Sequence, residues 1–127
     1  MARVMAIVSE VMSEPWRWGE RDCCASACEV FRRLHGIDPM ADVRGLCGTR
    51  AEAEAFIAFE GGMAAMVAHR LAAVGLVETD DPRPGDLGLS VERNALCIRV
   101  EGGKWAAKSP RGFALVEMPE RVWSLPR

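Results

Sequence analysis

The 127 residues, half of them hydrophobic and 27% charged, suit one domain that buries roughly two thirds of its unfolded surface, with no room for a second. A net charge of −2 and a pI near 5.7 remove any global electrostatic case for nucleic acid. No run approaches the roughly 18 apolar residues of a membrane span, and Met1–Met12 lacks the basic start, apolar core and cleavage site of a secretory signal. The expectation is a soluble product of a reducing cytoplasm. Five cysteines, odd in number and without framework spacing, also argue against a disulfide scaffold. Charge is uneven along the chain: residues 1–92 carry 9 Lys/Arg against 15 Asp/Glu, and residues 93–127 carry 7 against 3. Solvated sheet faces would account for that, as would a docking surface for a partner.

In chain order, Val4, Ile7, Val8, Val11 and Met12 recur at spacings of three and four and predict an amphipathic helix over 2–12 that ends before Pro15. Trp18-Gly19-Glu20-Arg21-Asp22-Cys23 then leads into a second helix, Cys23–His35, with Asp22 as its N-cap and Gly36 as its stop. Its apolar stripe is Cys24, Ala27, Cys28, Phe31 and Leu34, and Cys23 lies about 100° away from Cys24 around the axis. Cys24 and Cys28 fit small buried hydrophobes. Cys23 sits where unpaired N–H groups and the helix dipole favour a thiolate, the address of a reactive nucleophile. A Cys-Cys-x-x-x-Cys cluster without a second ligand pair is poor zinc spacing, so no metal and no cofactor is expected.

Ile37-Asp38-Pro39 marks a turn, and Thr49-Arg50-Ala51-Glu52 is a capping box that opens a helix with Ala53, Phe56 and Ile57 inward. After Gly61-Gly62, a further helix carries Met63, Met66, Val67, Leu71 and Val74 and stops at Gly75. His69 falls off that stripe, as a surface histidine would. His35 lies over 15 Å along the helix axis from Cys23, at about 1.5 Å per residue, and is expected to meet the last carbonyls there. Beyond the Pro/Gly/Asp cluster at 80–86 the period changes, and Leu87–Val91, Ala95–Val100, Lys104–Lys108, Phe113–Met118 and Val122–Leu125 predict an antiparallel meander of about five strands. Helices over 1–79 followed by a sheet over 80–127, in one domain, make an α+β fold.

Trp-Gly-x-x-Asp-Cys heading a helix, followed by Pro84-Gly85-Asp86 opening a small sheet, resembles the NlpC-type papain-like cysteine peptidase superfamily. It is similar above all to the short versions from tail-gene clusters of bacteriophages and gene transfer agents. Gly36-Ile37-Asp38-Pro39, Lys108-Ser109-Pro110-Arg111-Gly112 and the C-terminal Val122-Trp123-Ser124-Leu125 extend the likeness over most of the chain. The resemblance implies a papain-like core with Cys23 at the nucleophile position. The family's histidine, at the start of the second strand, would fall on Asn94 or Ala95, neither of which accepts a proton near neutral pH. Its polar orienting residue would fall near Lys104–Ala107.

A positioned general base contributes about 10² to 10⁴ in rate, so its loss leaves slight activity at most. The first functional expectation is therefore a non-catalytic component of a phage-like tail tip, assembled with hub, distal-tail, fibre or tape-measure proteins and located in the virion. Trp16, Trp18, Trp105 and Trp123 are its candidate interface anchors, with core filling as the other reading for Trp18 and Trp123. The second expectation is a cysteine peptidase or amidase acting on peptidoglycan peptides during phage entry. A thiol-based redox or zinc protein ranks last.

Overall fold

The computed structural model of the protein describes residues 2–127. Among these, four helices, α1 (Arg3–Met12), α2 (Cys23–His35), α3 (Arg50–Phe59) and α4 (Met63–Ala73), precede a sheet of six strands. The strands are β1 (Val77–Glu78), β2 (Leu87–Ser90), β3 (Ala95–Arg99), β4 (Trp105–Ser109), β5 (Gly112–Val116) and β6 (Arg121–Ser124). The α+β architecture expected from the change of period is therefore present.

Strand order corrects the meander. The sheet runs β1-β6-β2-β3-β4-β5, every pairing antiparallel. Instead of extending the sheet beyond β5, β6 returns to the free side of β2 and pairs Leu87 with Trp123 and Gly88 with Val122. A two-residue strand, Val77–Glu78, then borders β6, so the sheet takes in residues before 80. Periodicity assigns residues to faces but leaves open which strand edge a returning segment meets.

Helix α2 is the central element. Every residue from Ala25 through Phe31 is buried, so the expected one-sided stripe is in fact closed around almost the whole circumference. α2 lies against β3 and β4 with α1 beside it. Ala27, Cys28, Val30 and Phe31 join Val8, Val11, Met12, Leu87, Leu96 and Ile98 in the main core. A second, smaller cluster of Cys97, Trp105, Ala107, Val116 and Val122 covers part of the opposite face. Gly88 makes that packing possible, because a Cβ there would stand 2.4 Å from Pro119 Cγ and 2.8 Å from Trp105 Cζ3.

Trp105 and Trp123 are 0% and 2% exposed, which corrects their candidacy as interface anchors. Their rings fill the two faces of the sheet. The N-terminus of α1 has no local side-chain cap. Glu101, in the β3–β4 turn, accepts hydrogen bonds from the N–H groups of Val4 at 2.8 Å and Met5 at 3.0 Å, supplying the carboxylate that a helix start favours.

Candidate functional site

Asp22 builds the start of α2 as the sequence predicts. Its backbone is extended, one carboxylate oxygen accepts from Ala25 N and the other from Gly19 N, both at 2.8 Å. These two bonds close the Trp-Gly turn onto the helix and present Cys23 as the first helical residue. Gly19 has φ +82°, and a Cβ would stand 2.4 Å from the Cys47 carbonyl oxygen, so the turn packs backbone to backbone against the 40–48 loop. Gly45 N donates to Gly19 O at 2.9 Å, and Trp16 N donates to Pro110 O at 2.9 Å. The Trp-Gly segment is thereby clamped between that loop and the β4–β5 turn.

Cys23 is half-buried and lines a cleft of about 640 Å³, within the size range of small-molecule sites. The cleft walls come from Trp16 and Trp18, the Met40–Cys47 loop, the inner face of α3, and Met63 and Met66 of α4, with Asn94 and Pro110 at the sheet side. Trp16 and Trp18 meet edge to face at 5.1 Å between ring centroids, a favoured aromatic geometry. Both retain candidacy as contact residues because they are half-buried at the cleft. The cleft's arginines are already engaged. Arg44 forms a bidentate pair with Asp38, at 3.0 Å for both bonds, and donates to Ala25 O at 3.1 Å, while Arg50 pairs with Glu54 at 2.8 Å.

The sulfurs of Cys23 and Cys24 stand 3.9 Å apart, within thiol hydrogen-bond reach. When Cys23 ionises, the Cys24 S–H becomes the donor, and this bond lowers the Cys23 pKa below the ordinary thiol value. The backbone N–H groups of Leu96 and Cys24 help, against the opposing effects of burial and the Asp22 charge. Cys24 is raised by the same bond and by burial. Burial also pushes up Cys28, and Cys97 to about 12. Cys23 is thus the one acidified thiol, while the buried Cys28 and Cys97 and the half-buried cleft residues Cys24 and Cys47 are all shifted toward the protonated form.

Neither histidine belongs to this site. His69 is exposed on α4. His35 is at the far end of α2, its Nε2 3.3 Å from Gly85 O and its ring 4.4 Å from that of Phe31, so it meets the strand-opening turn rather than the last carbonyls of its own helix. In that turn Asp86 accepts from Arg83 N at 2.8 Å and pairs with Arg127 at 3.2 Å. β3 reaches Cys23 through the Leu96 N–H, and Asn94, an exposed residue just before that strand, lines the same cleft with φ +52°, a left-handed conformation that asparagine tolerates. Ala95, the other candidate for the base position, is not among the lining residues.

Sequence reasoning missed the Met40, Val43 and Arg44 wall, which has no periodic signature because it is an irregular loop. Its one readable signal was the Asp38–Arg44 charge pair flanking apolar residues. Among the described residues, no group of three His, Cys, Asp or Glu side chains is placed to hold a metal ion, and no helix is long and apolar enough to cross a membrane. No curated protein and no solved structure matches the sequence. A family model described as a domain of unknown function, DUF6950, matches residues 1–125, and the chain belongs to that family.

Proposed function

We propose that the chain is a catalytically impaired domain of NlpC-type, papain-like descent that serves as a structural or assembly component of a phage-like tail tip. The observation that carries the impaired half of this reading is that Asn94, not a histidine, lines the Cys23 cleft at the entry to β3, with His35 and His69 both outside the cleft. A carboxamide can donate and accept hydrogen bonds but cannot shuttle a proton near neutral pH. Support for the papain-like descent is the juxtaposition itself, a cysteine heading a buried helix whose start meets the first residues of the second long strand. The tail-tip context rests on the sequence resemblance, with Trp16 and Trp18 as candidate contacts to neighbouring tail proteins.

One observation favours a second reading, a cysteine peptidase or amidase acting on peptidoglycan peptides: the Cys23 thiol is acidified and faces the cleft. Two measurements separate them. Purified protein is expected to release no fragments from peptidoglycan-derived peptides, and particles carrying Cys23→Ala are expected to assemble and infect at the wild-type titre while deletion of the gene stops assembly. Peptide cleavage abolished by Cys23→Ala would overturn the impaired reading. Normal assembly without the gene would overturn the tail-tip role.

A further inference from the structure

The cleft combines a thiol with a hydrogen-bonded neighbour, an apolar wall and no imidazole among its lining residues to protonate a leaving amine, and these three features select a substrate class. An amine is expelled from a tetrahedral adduct only after its nitrogen is protonated, which is the acid half of an imidazole's work. A thiolate leaves without protonation, faster as its own pKa falls. Attack of Cys23 on a thioester therefore needs neither a general base, given an acidified thiol, nor a general acid.

We infer that the Cys23 cleft is an acyl-acceptor site for thioesters of apolar acyl chains. The inference rests on the reading of Cys23 as a cleft thiol without an imidazole, and is independent of the tail-tip context. The Cys23 thiolate adds to the thioester carbonyl, and the adduct collapses by breaking the donor's C–S bond. One C–S bond is formed and one is broken, nothing is oxidised or reduced, and the negative charge passes to the departing sulfur, which takes its proton from water. The Cys24 S–H and the Leu96 N–H stabilise the attacking sulfur before bond formation. Deacylation by water requires an activated nucleophile that the cleft does not supply, so the acyl-protein persists.

The walls fit the chain rather than a peptide or a free acid. Met40, Val43, Phe56, Ile57, Met63 and Met66 form the apolar part of the lining of about 640 Å³, with polar side chains such as Glu54 and Asn94 elsewhere on it; a peptide backbone laid along those six side chains finds no hydrogen-bond partners among them, and burial without partners is costly. A fatty carboxylate would require a free cation, and both cleft arginines are paired. A neutral thioester meets neither obstacle.

The test is intact-mass spectrometry of the full chain incubated at neutral pH with S-octanoyl-N-acetylcysteamine and, separately, with the S-acetyl analogue. The expected result is one octanoyl group per chain, mapped to Cys23, released by hydroxylamine and absent in Cys23→Ser. Octanoyl transfer should exceed acetyl transfer by at least about tenfold, since each methylene held in an apolar pocket contributes to discrimination. Cys24→Ala should move the pH profile of acylation upward. Absence of acylation while iodoacetamide alkylates Cys23 at the same pH would overturn the acyl site and leave the impaired-cleft reading standing. Equal rates for the two donors, or labelling mapped to Cys47, would overturn the site as well. Hydrolysis of an amide analogue at Cys23 would instead remove the base-free reading on which it rests.

Discussion

The cleft has two unlike walls. On one side α2 and the sheet hold Cys23, with Ala25–Phe31 buried in sequence. On the other, α3 contributes Ala53, Phe56 and Ile57 to the lining, yet none of its residues is buried. Apolar burial fixes the first wall, whereas the second is tied down by polar contacts: Arg70 bonds Asp42 and Glu60, each at 2.8 Å, and lies 5.3 Å over the Phe56 ring. Gly61 and Gly62, at φ +95° and +108°, end this segment in conformations other residues avoid. The lesson is that the thiol is held by buried apolar packing while the surface that would close over a ligand hangs on one arginine, largely buried itself, whose partners Asp42 and Glu60 are 73% and 23% exposed, an anchor that contributes less than a fully buried aromatic ring.

Truncating one ring in each wall gives the largest contrast. Phe31→Ala in α2 should cost about 3–5 kcal/mol in urea unfolding, and Phe56→Ala in α3 about 1 kcal/mol or less, as its ring is only half-buried. Equal losses would abolish the distinction between the walls.

The acid limb of stability sharpens the same contrast from the α2 side. Hydrogen bonds from Arg32, with help from Arg33, hold the Glu29 carboxyl down at about 2. A depressed folded-state pKa stabilises above the unfolded value, about 4.3 for glutamate, and that stability is lost as pH falls toward 2. Glu29→Gln should therefore lower stability at neutral pH and flatten its decline between about pH 5 and 2. An unchanged acid limb would show that the Arg32 and Arg33 contacts carry no folding energy.

The smallest effect concerns the soft wall alone. Arg70→Ala should raise hydrogen exchange of α3 amides by roughly five- to tenfold, equivalent to about 1 kcal/mol of local opening, with α2 amides unchanged. A parallel rise in α2 would mean that the walls open as one unit.

Much of the rigid wall was legible in the sequence because its cues are local. Asp22 before an apolar period and Gly36 after it fix the ends of α2 through bonds a few residues long, and in the weaker wall Thr49 with Glu52 marks the start of α3 in the same way. The capping box itself is slightly displaced, with Glu52 accepting from Gly48 N at 3.1 Å. What escaped depends on distant partners. The return of β6 to β2, the brief β1, and the burial of Trp105 over Gly88 are set by pairings that alternation does not encode. For the site, Asp22, Cys23 and Asn94 were placed by motif order, but the loop wall around Arg44 was not, because its placement depends on the Asp38 ion pair and on bonds to distant backbone at Ala25 and Gly19.

The Glu101 cap on α1 carries a consequence for biosynthesis. The carboxylate that finishes the first helix lies 97 residues downstream of Val4, so at a ribosomal pace of about 5–20 residues per second its donors wait roughly 5–20 s for their acceptor to be translated. During that interval α1 can meet α2, its main packing partner, but has neither its cap nor β4, which makes the capping of its first turn a late event in the nascent chain's history.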